Sequence, residues 1–158
     1  MNYINVENII KKLVSQNQTI SFSESCTGGR ITAAFTAISG ASAVLNGSMV
    51  TYSNDIKHSW LGVENEVLEN YGAVSSECIV QMLAGIQKAT DSDYALAVSG
   101  VAGPTGGSDE KPVGTVYIGL LTPTSQEVFH CLFDGDRSSI QEQSTAFAIR
   151  KLDEYLKI

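Results

Sequence analysis

This sequence predicts an α/β fold: a three-layer α/β/α single domain around a mixed, mostly parallel sheet. Three observations carry that reading. Stretches with apolar residues at helical spacing separate the early strand-like runs, as crossover connections between parallel strands require. Tyr94-Ala95-Leu96-Ala97-Val98 is apolar on both faces, as in an interior strand covered on each side. The last two strand-like runs are joined only by Thr122 to Gln126, which permits a hairpin.

Val6, Ile9, Ile10, Leu13 and Val14 form one face of a first helix, from about residue 4 to 16, ended by Asn17-Gln18. Thr19-Ile20-Ser21-Phe22 suits a strand. After the turn Ser23 to Gly29, a helix from Arg30 to Ile38 places Ile31, Ala34, Phe35 and Ile38 on one side. Ser39-Gly40 breaks that pattern. Ala43 to Tyr52 reads as a strand, with Val44, Met49, Val50 and Tyr52 as packing candidates and Gly47 as a bulge candidate. Short helices follow at Asp55 to Leu61, after a Ser53-Asn54 cap, and at about Glu64 to Asn70. Ser75 or Ser76 caps the next helix, which buries Cys78, Ile79, Met82, Leu83 and Ile86 and runs to about Lys88. Beyond the strand Tyr94 to Val98 comes a glycine-rich loop, Ser99 to Ser108. Strands at Val113 to Leu121 and Glu127 to Phe133 precede a last helix, Arg137 to Leu156, whose apolar side is Phe147, Ala148, Leu152, Tyr155 and Leu156.

The chain has 158 residues, 43% hydrophobic and 17% charged, which suits one domain over residues 1–158. A net charge of −7 argues against nucleic acid as the main partner. No apolar run approaches the roughly 20 residues of a membrane span, and Met1 to Val14 carries charges and polar groups unlike a signal peptide. Cys26, Cys78 and Cys131 are isolated and odd in number, with neither disulfide nor zinc spacing, so a cytoplasmic protein with reduced thiols is expected.

In open sheets of this kind ligands bind beyond the carboxyl ends of the strands. Three loops there carry reactive groups: Ser23–Gly29, Tyr52–Lys57 and Ser99–Lys111. The first runs from a strand into a helix start, where unpaired N–H groups and the helix dipole can hold a phosphate, a carboxylate or an oxyanion; a plain capped helix start is the alternative. Ser25 as a nucleophile needs a base, for which His58, His130 and Lys57 are candidates. A lysine serves only if burial or positive neighbours leave its amine neutral. Tyr52 could relay a proton, or be a core aromatic. Cys26 is a rival nucleophile, or a small buried residue. The glycine-rich loop matches neither a Walker A nor a dinucleotide fingerprint, yet its N–H groups suit anion binding. Arg137 could grip a phosphate with two nitrogens.

Five blocks occur in order: Ser23-Glu24-Ser25-Cys26-Thr27-Gly28-Gly29; Val50-Thr51-Tyr52-Ser53-Asn54 with Lys57; Tyr71-Gly72-Ala73-Val74-Ser75; Ser99-Gly100-Val101-Ala102-Gly103-Pro104 with Gly106-Gly107; and Lys111-Pro112-Val113-Gly114-Thr115-Val116. Together they resemble the CinA C-terminal domain family, over nearly the whole chain. Members include stand-alone nicotinamide-nucleotide amidases, which hydrolyse the carboxamide of nicotinamide mononucleotide to nicotinate mononucleotide and ammonia in pyridine nucleotide salvage. The resemblance implies Ser25 as nucleophile with Lys57 and Tyr52 as activating partners, without metal or cofactor. It places Ser99 in the pocket, where threonine is usual, and matches Arg137 to the family arginine after the last strand. In the mechanism we expect, N–H groups near Thr27, Gly28 and Gly29 hold the oxyanion, and the loop of Gly100, Gly103, Thr105 and Gly106 or Arg137 takes the substrate phosphate. Ser23 stands where alanine is common. The implied partner is a small nucleotide, with self-association into a homo-oligomer. A non-catalytic nucleotide-binding module and an amidase for another small amide are the competing expectations.

Overall fold

The computed structural model describes residues 5–157, so the start of the predicted first helix at residue 4 lies outside them. Among the described residues six α-helices and five strands follow in the order α1 (Val6–Gln16), β1 (Ile20–Glu24), α2 (Arg30–Thr36), β2 (Leu45–Val50), α3 (Asn54–Leu61), α4 (Asn65–Asn70), α5 (Ser76–Thr90), β3 (Tyr94–Gly100), β4 (Thr115–Leu121), β5 (Gln126–Leu132) and α6 (Arg137–Leu156). The sheet order is β2-β1-β3-β4-β5. β1 pairs parallel with β2 and β3, while β4 pairs antiparallel with β3 and β5. Four of the five strands therefore point the same way, and β4 alone opposes them.

Alternation along β3 divides the interior into two cores. Tyr94, Leu96 and Val98 face α1, α2 and α6, with Phe22 and Phe35 in tilted contact at 4.8 Å between ring centres. Ala95 and Ala97 face α5 and the end of α3, where Leu61, Val63, Ile79, Met82 and Leu83 pack. Fully burying each such large side chain contributes about 1.5–3 kcal/mol.

The β1–β2 register steps from Ile20 opposite Leu45 to Ser21 opposite Gly47, so a bulge falls beside Gly47. Several boundaries differ from expectation: β1 takes in Ser23 and Glu24 from the expected turn, α2 ends at Thr36 rather than Ile38, and β4 begins at Thr115 rather than Val113. Residues Ala41–Ala43 form a 3-10 turn, and β2 begins only at Leu45. Val50 and Tyr52, expected to pack, are exposed because β2 is an edge strand and the chain leaves the sheet there. On α6 the buried face is Ile140, Gln141, Ser144, Thr145, Ala148, Ile149, Leu152 and Leu156, with Tyr155 at its exposed margin. Among the described residues no helix is long and apolar enough to cross a membrane.

Candidate active site

Glu24, the last residue of β1, pairs with Val50 on one side and Val98 on the other. The ladder continues one step further, through Thr51 N–H to Glu24 O at 2.9 Å and Ser25 N–H to Val98 O at 3.0 Å. Ser25 therefore stands between Thr51 and Ser99, at the carboxyl ends of three parallel strands about 4.8 Å apart. Period-two alternation sends Glu24 toward α2 and Ser25 to the opposite face, toward α3.

On that face lies Lys57, in the first turn of α3, which Ser53 caps by accepting from Ile56 N–H at 3.2 Å. Lys57 Nζ is 3.0 Å from Ser25 Oγ, 2.8 Å from the Thr51 carbonyl and 3.1 Å from the Tyr52 carbonyl. The side chain is 1% exposed, and burial pushes its amine below the usual lysine value. When the amine is neutral, the three contacts fix where its lone pair points. Carbonyl oxygens only accept, so they take its two hydrogens, and Ser25 is the one partner able to donate to it. Lys57 thus reaches Ser25 directly, while Tyr52 touches Lys57 only through its backbone.

A cavity of about 290 Å³ opens above this pair. Its lining draws on all three predicted loops: Ser25 from the first, Tyr52 and Lys57 from the second, and Ser99, Gly100, Gly103, Thr105 and Gly106 from the third, with Arg137 added from α6. Arg137 donates to the Gly103 carbonyl at 2.7 Å and to the Tyr52 hydroxyl at 2.9 Å, tying α6, the glycine-rich loop and the β2–α3 connection together.

Thr27, Gly28 and Gly29 do not line the cavity. The Thr27 hydroxyl donates to Glu24 Oε1 at 2.7 Å, and Gly28 N–H closes the turn onto the Ser25 carbonyl at 3.0 Å. Gly28 and Gly29 have φ of 60° and 97°, so they serve the turn. The start of α2, read as an anion site, holds an anion of the chain's own: Glu24 accepts from Ile31 and Thr32 N–H at 3.0 Å each. Substrate oxygens have to find other donors.

The rival groups fall away for physical reasons. Cys26 is 4% exposed and burial pushes its thiol up to about 12, which leaves almost no thiolate. His58 has its Nδ1 against the Val63 carbonyl at 2.7 Å, and His130 stacks on Tyr117 at 4.5 Å in the β4–β5 hairpin. Neither histidine lines the cavity. Ser23 points into the α5 side and its hydroxyl has no hydrogen-bond partner among the described residues, nor does that of Thr51. Among those residues no cluster of three or more His, Cys, Asp or Glu is placed to hold a metal.

Sequence reasoning gave no site role to several contributors, Glu24 among them. Asn54, Ala73 and Val74 also line the cavity. Gln141 holds the Cys26 carbonyl at 2.9 Å and so braces the nucleophile turn. It lies four residues after Arg137, on the same helix face, and that spacing was the available signal.

Residues 4–156 match the CinA C-terminal domain model. A CinA-like protein of Fervidobacterium nodosum is 46% identical over 144 residues, covering 91% of this chain and 35% of the relative. A CinA-like protein of Thermotoga neapolitana is 41% identical over 158 residues, covering 99% of this chain and 38% of the relative. The chain thus spans little more than a third of the length of these relatives. Among solved structures, a CinA superfamily protein of Klebsiella pneumoniae superposes with a TM-score of 0.93 at 33% identity, covering 99% of both chains. The competence/damage inducible protein CihA of Agrobacterium tumefaciens gives 0.93 at 36% identity, covering 99% of this chain and 95% of the other.

Proposed function

The chain belongs to the CinA C-terminal domain family, and from that premise we propose that it hydrolyses the carboxamide of nicotinamide mononucleotide to nicotinate mononucleotide and ammonia. The observation that carries the reading is the Ser25–Lys57 contact of 3.0 Å at the floor of a cavity. A hydroxyl bonded to a buried amine with a lowered pKa is an activated nucleophile.

In this scheme neutral Lys57 takes the proton from Ser25 as Oγ attacks the carboxamide carbon. The tetrahedral oxyanion falls to backbone N–H groups of cavity-lining residues, of which Cys26 directly follows the nucleophile. Lys57 returns the proton to the departing nitrogen, and ammonia leaves. Water, deprotonated by the same amine, then cleaves the acyl-enzyme and regenerates Ser25. Tyr52 contributes a carbonyl to Lys57 and a hydroxyl to Arg137. Arg137 and the glycine-rich loop supply donors for the nucleotide phosphate.

The test is ammonia release from nicotinamide mononucleotide, beside nicotinamide and its riboside, with and without a chelator. Turnover that favours the mononucleotide and disappears in Ser25→Ala supports the reading. Binding without ammonia would assign a nucleotide-binding module instead, and equal turnover of all three would assign a broader amidase.

A further inference from the structure

Glu24 is 0% exposed, directly precedes Ser25, and points to the other face of the sheet. Four donors converge on its two oxygens. Oε1 accepts from Thr27 Oγ1 at 2.7 Å and Ile31 N–H at 3.0 Å. Oε2 accepts from Thr32 N–H at 3.0 Å and Thr32 Oγ1 at 2.7 Å. Thr32 has one hydroxyl hydrogen, given to the carboxylate, so its 2.6 Å contact with Ser48 Oγ has Ser48 donating. The carboxylate is thereby bonded to the turn behind Ser25, to the first turn of α2 and, through Thr32, to β2.

We propose that Glu24 is the positioning residue of the nucleophile, locking the β1–α2 turn so that Ser25 Oγ is held at Lys57. The proposal rests on Ser25 being the reactive hydroxyl of the proposed function. Two neighbouring bonds leave the turn little other freedom: Ser25 N–H to the Val98 carbonyl and Gln141 to the Cys26 carbonyl. What they do not fix is the path from Cys26 to Arg30, on which Glu24 holds Thr27 and, just beyond its end, Ile31. Only an acceptor-only group satisfies four inward-pointing donors. A glutamine of the same shape would aim its NH₂ hydrogens at N–H or O–H donors and push the turn outward. Displacement of a nucleophile by about 1 Å costs on the order of a hundredfold in rate.

The experiment follows sulfonylation of Ser25 by phenylmethanesulfonyl fluoride, read by peptide mass spectrometry, in the wild type and in Glu24→Gln. In this reaction the Oγ–S bond forms, the S–F bond breaks to release fluoride, and the hydroxyl proton passes to Lys57, so the probe reports nucleophile placement without any amide substrate. The expected result is labelling of Ser25 slowed at least about tenfold in Glu24→Gln, with a cooperative melt retained and, where ammonia release is measurable, kcat lowered while KM stays within about twofold. Thr27→Val, which removes one donor and leaves three on the carboxylate, serves if Glu24→Gln does not fold; it should slow labelling in the same direction. Labelling at the wild-type rate in the folded variant, with only a lower Tm, overturns the proposal. A wild type that labels at Ser25 yet releases no ammonia sinks the substrate assignment and leaves Glu24 in its role.

Discussion

Lys57 Nζ lies 3.0 Å from Ser25 Oγ, and among the described residues no carboxylate is within ion-pairing reach of it. No opposite charge offsets its burial, which shifts the amine toward its neutral form relative to a solvated lysine. Two consequences are measurable. The rate of ammonia release should rise with pH and level off, with an apparent pKa below the ordinary lysine value of about 10.4. Stability should follow the same group. Between the lowered native pKa and the ordinary value, the unfolded chain holds a proton that the native amine lacks. Native stability then rises with pH through that window and is lowest below it. Lys57→Met has no such group, so the wild-type unfolding free energy should gain on the variant's as pH climbs. Parallel pH profiles in denaturant titrations would contradict this.

Arg137 spends its two terminal nitrogens on neutral acceptors, the Gly103 carbonyl and the Tyr52 hydroxyl. A phosphate offers the same fork a charged, bidentate partner, and such bonds contribute about 1.5–3 kcal/mol each. Arg137→Ala should accordingly raise KM for nicotinamide mononucleotide roughly tenfold to a hundredfold with a smaller effect on the riboside. Arg137→Lys should recover only part, since an ammonium lacks the planar fork. Equal losses on both substrates would remove Arg137 from phosphate recognition.

How far the sequence went can be judged from neighbouring residues. Ser25 and Lys57 were legible as a hydroxyl and an amine at the ends of adjacent strands, because strand-end loops of a parallel sheet converge. Glu24 was not, although it directly precedes Ser25. Its role depends on alternation carrying it to the α2 face, where a helix start needs a negative partner. The glycines after it were read as ligand contacts because glycine permits both close approach and positive φ, and a sequence does not say which is in use. Tyr52 and Val50 were misplaced for a related reason: apolar patterning identifies a strand but not that it lies at the sheet edge.

Ser23 is 0% exposed and its hydroxyl has no partner among the described residues. A buried hydroxyl in that condition costs about 1–3 kcal/mol. Ser23→Ala should leave the backbone undisturbed and stabilise the protein by about 1 kcal/mol, a Tm rise of roughly 2–4 °C at this chain length. Ammonia release should be unchanged, because Ser25 carries the contact with Lys57. Loss of activity in Ser23→Ala would move the nucleophile's role from Ser25 to Ser23.

Gly85 sets two expectations against each other. It lies inside α5, where replacing glycine by alanine ordinarily stabilises by about 1 kcal/mol through helix propensity. Here an added Cβ would meet the Leu61 carbonyl oxygen at 2.1 Å and its Cα at 2.8 Å. Those atoms are backbone at the end of α3, so no rotamer change relieves the overlap. The helix that must retreat is the one carrying Lys57, and a shift of even about 1 Å would break the hydrogen bond to Ser25. Gly85→Ala should therefore destabilise by about 1–3 kcal/mol and lower kcat together, far from the cavity itself. Thermal denaturation and ammonia release on the same preparation decide it. A stabilised, fully active variant would mean that helix propensity outweighs the contact and that α3 can move without cost to the Ser25–Lys57 pair.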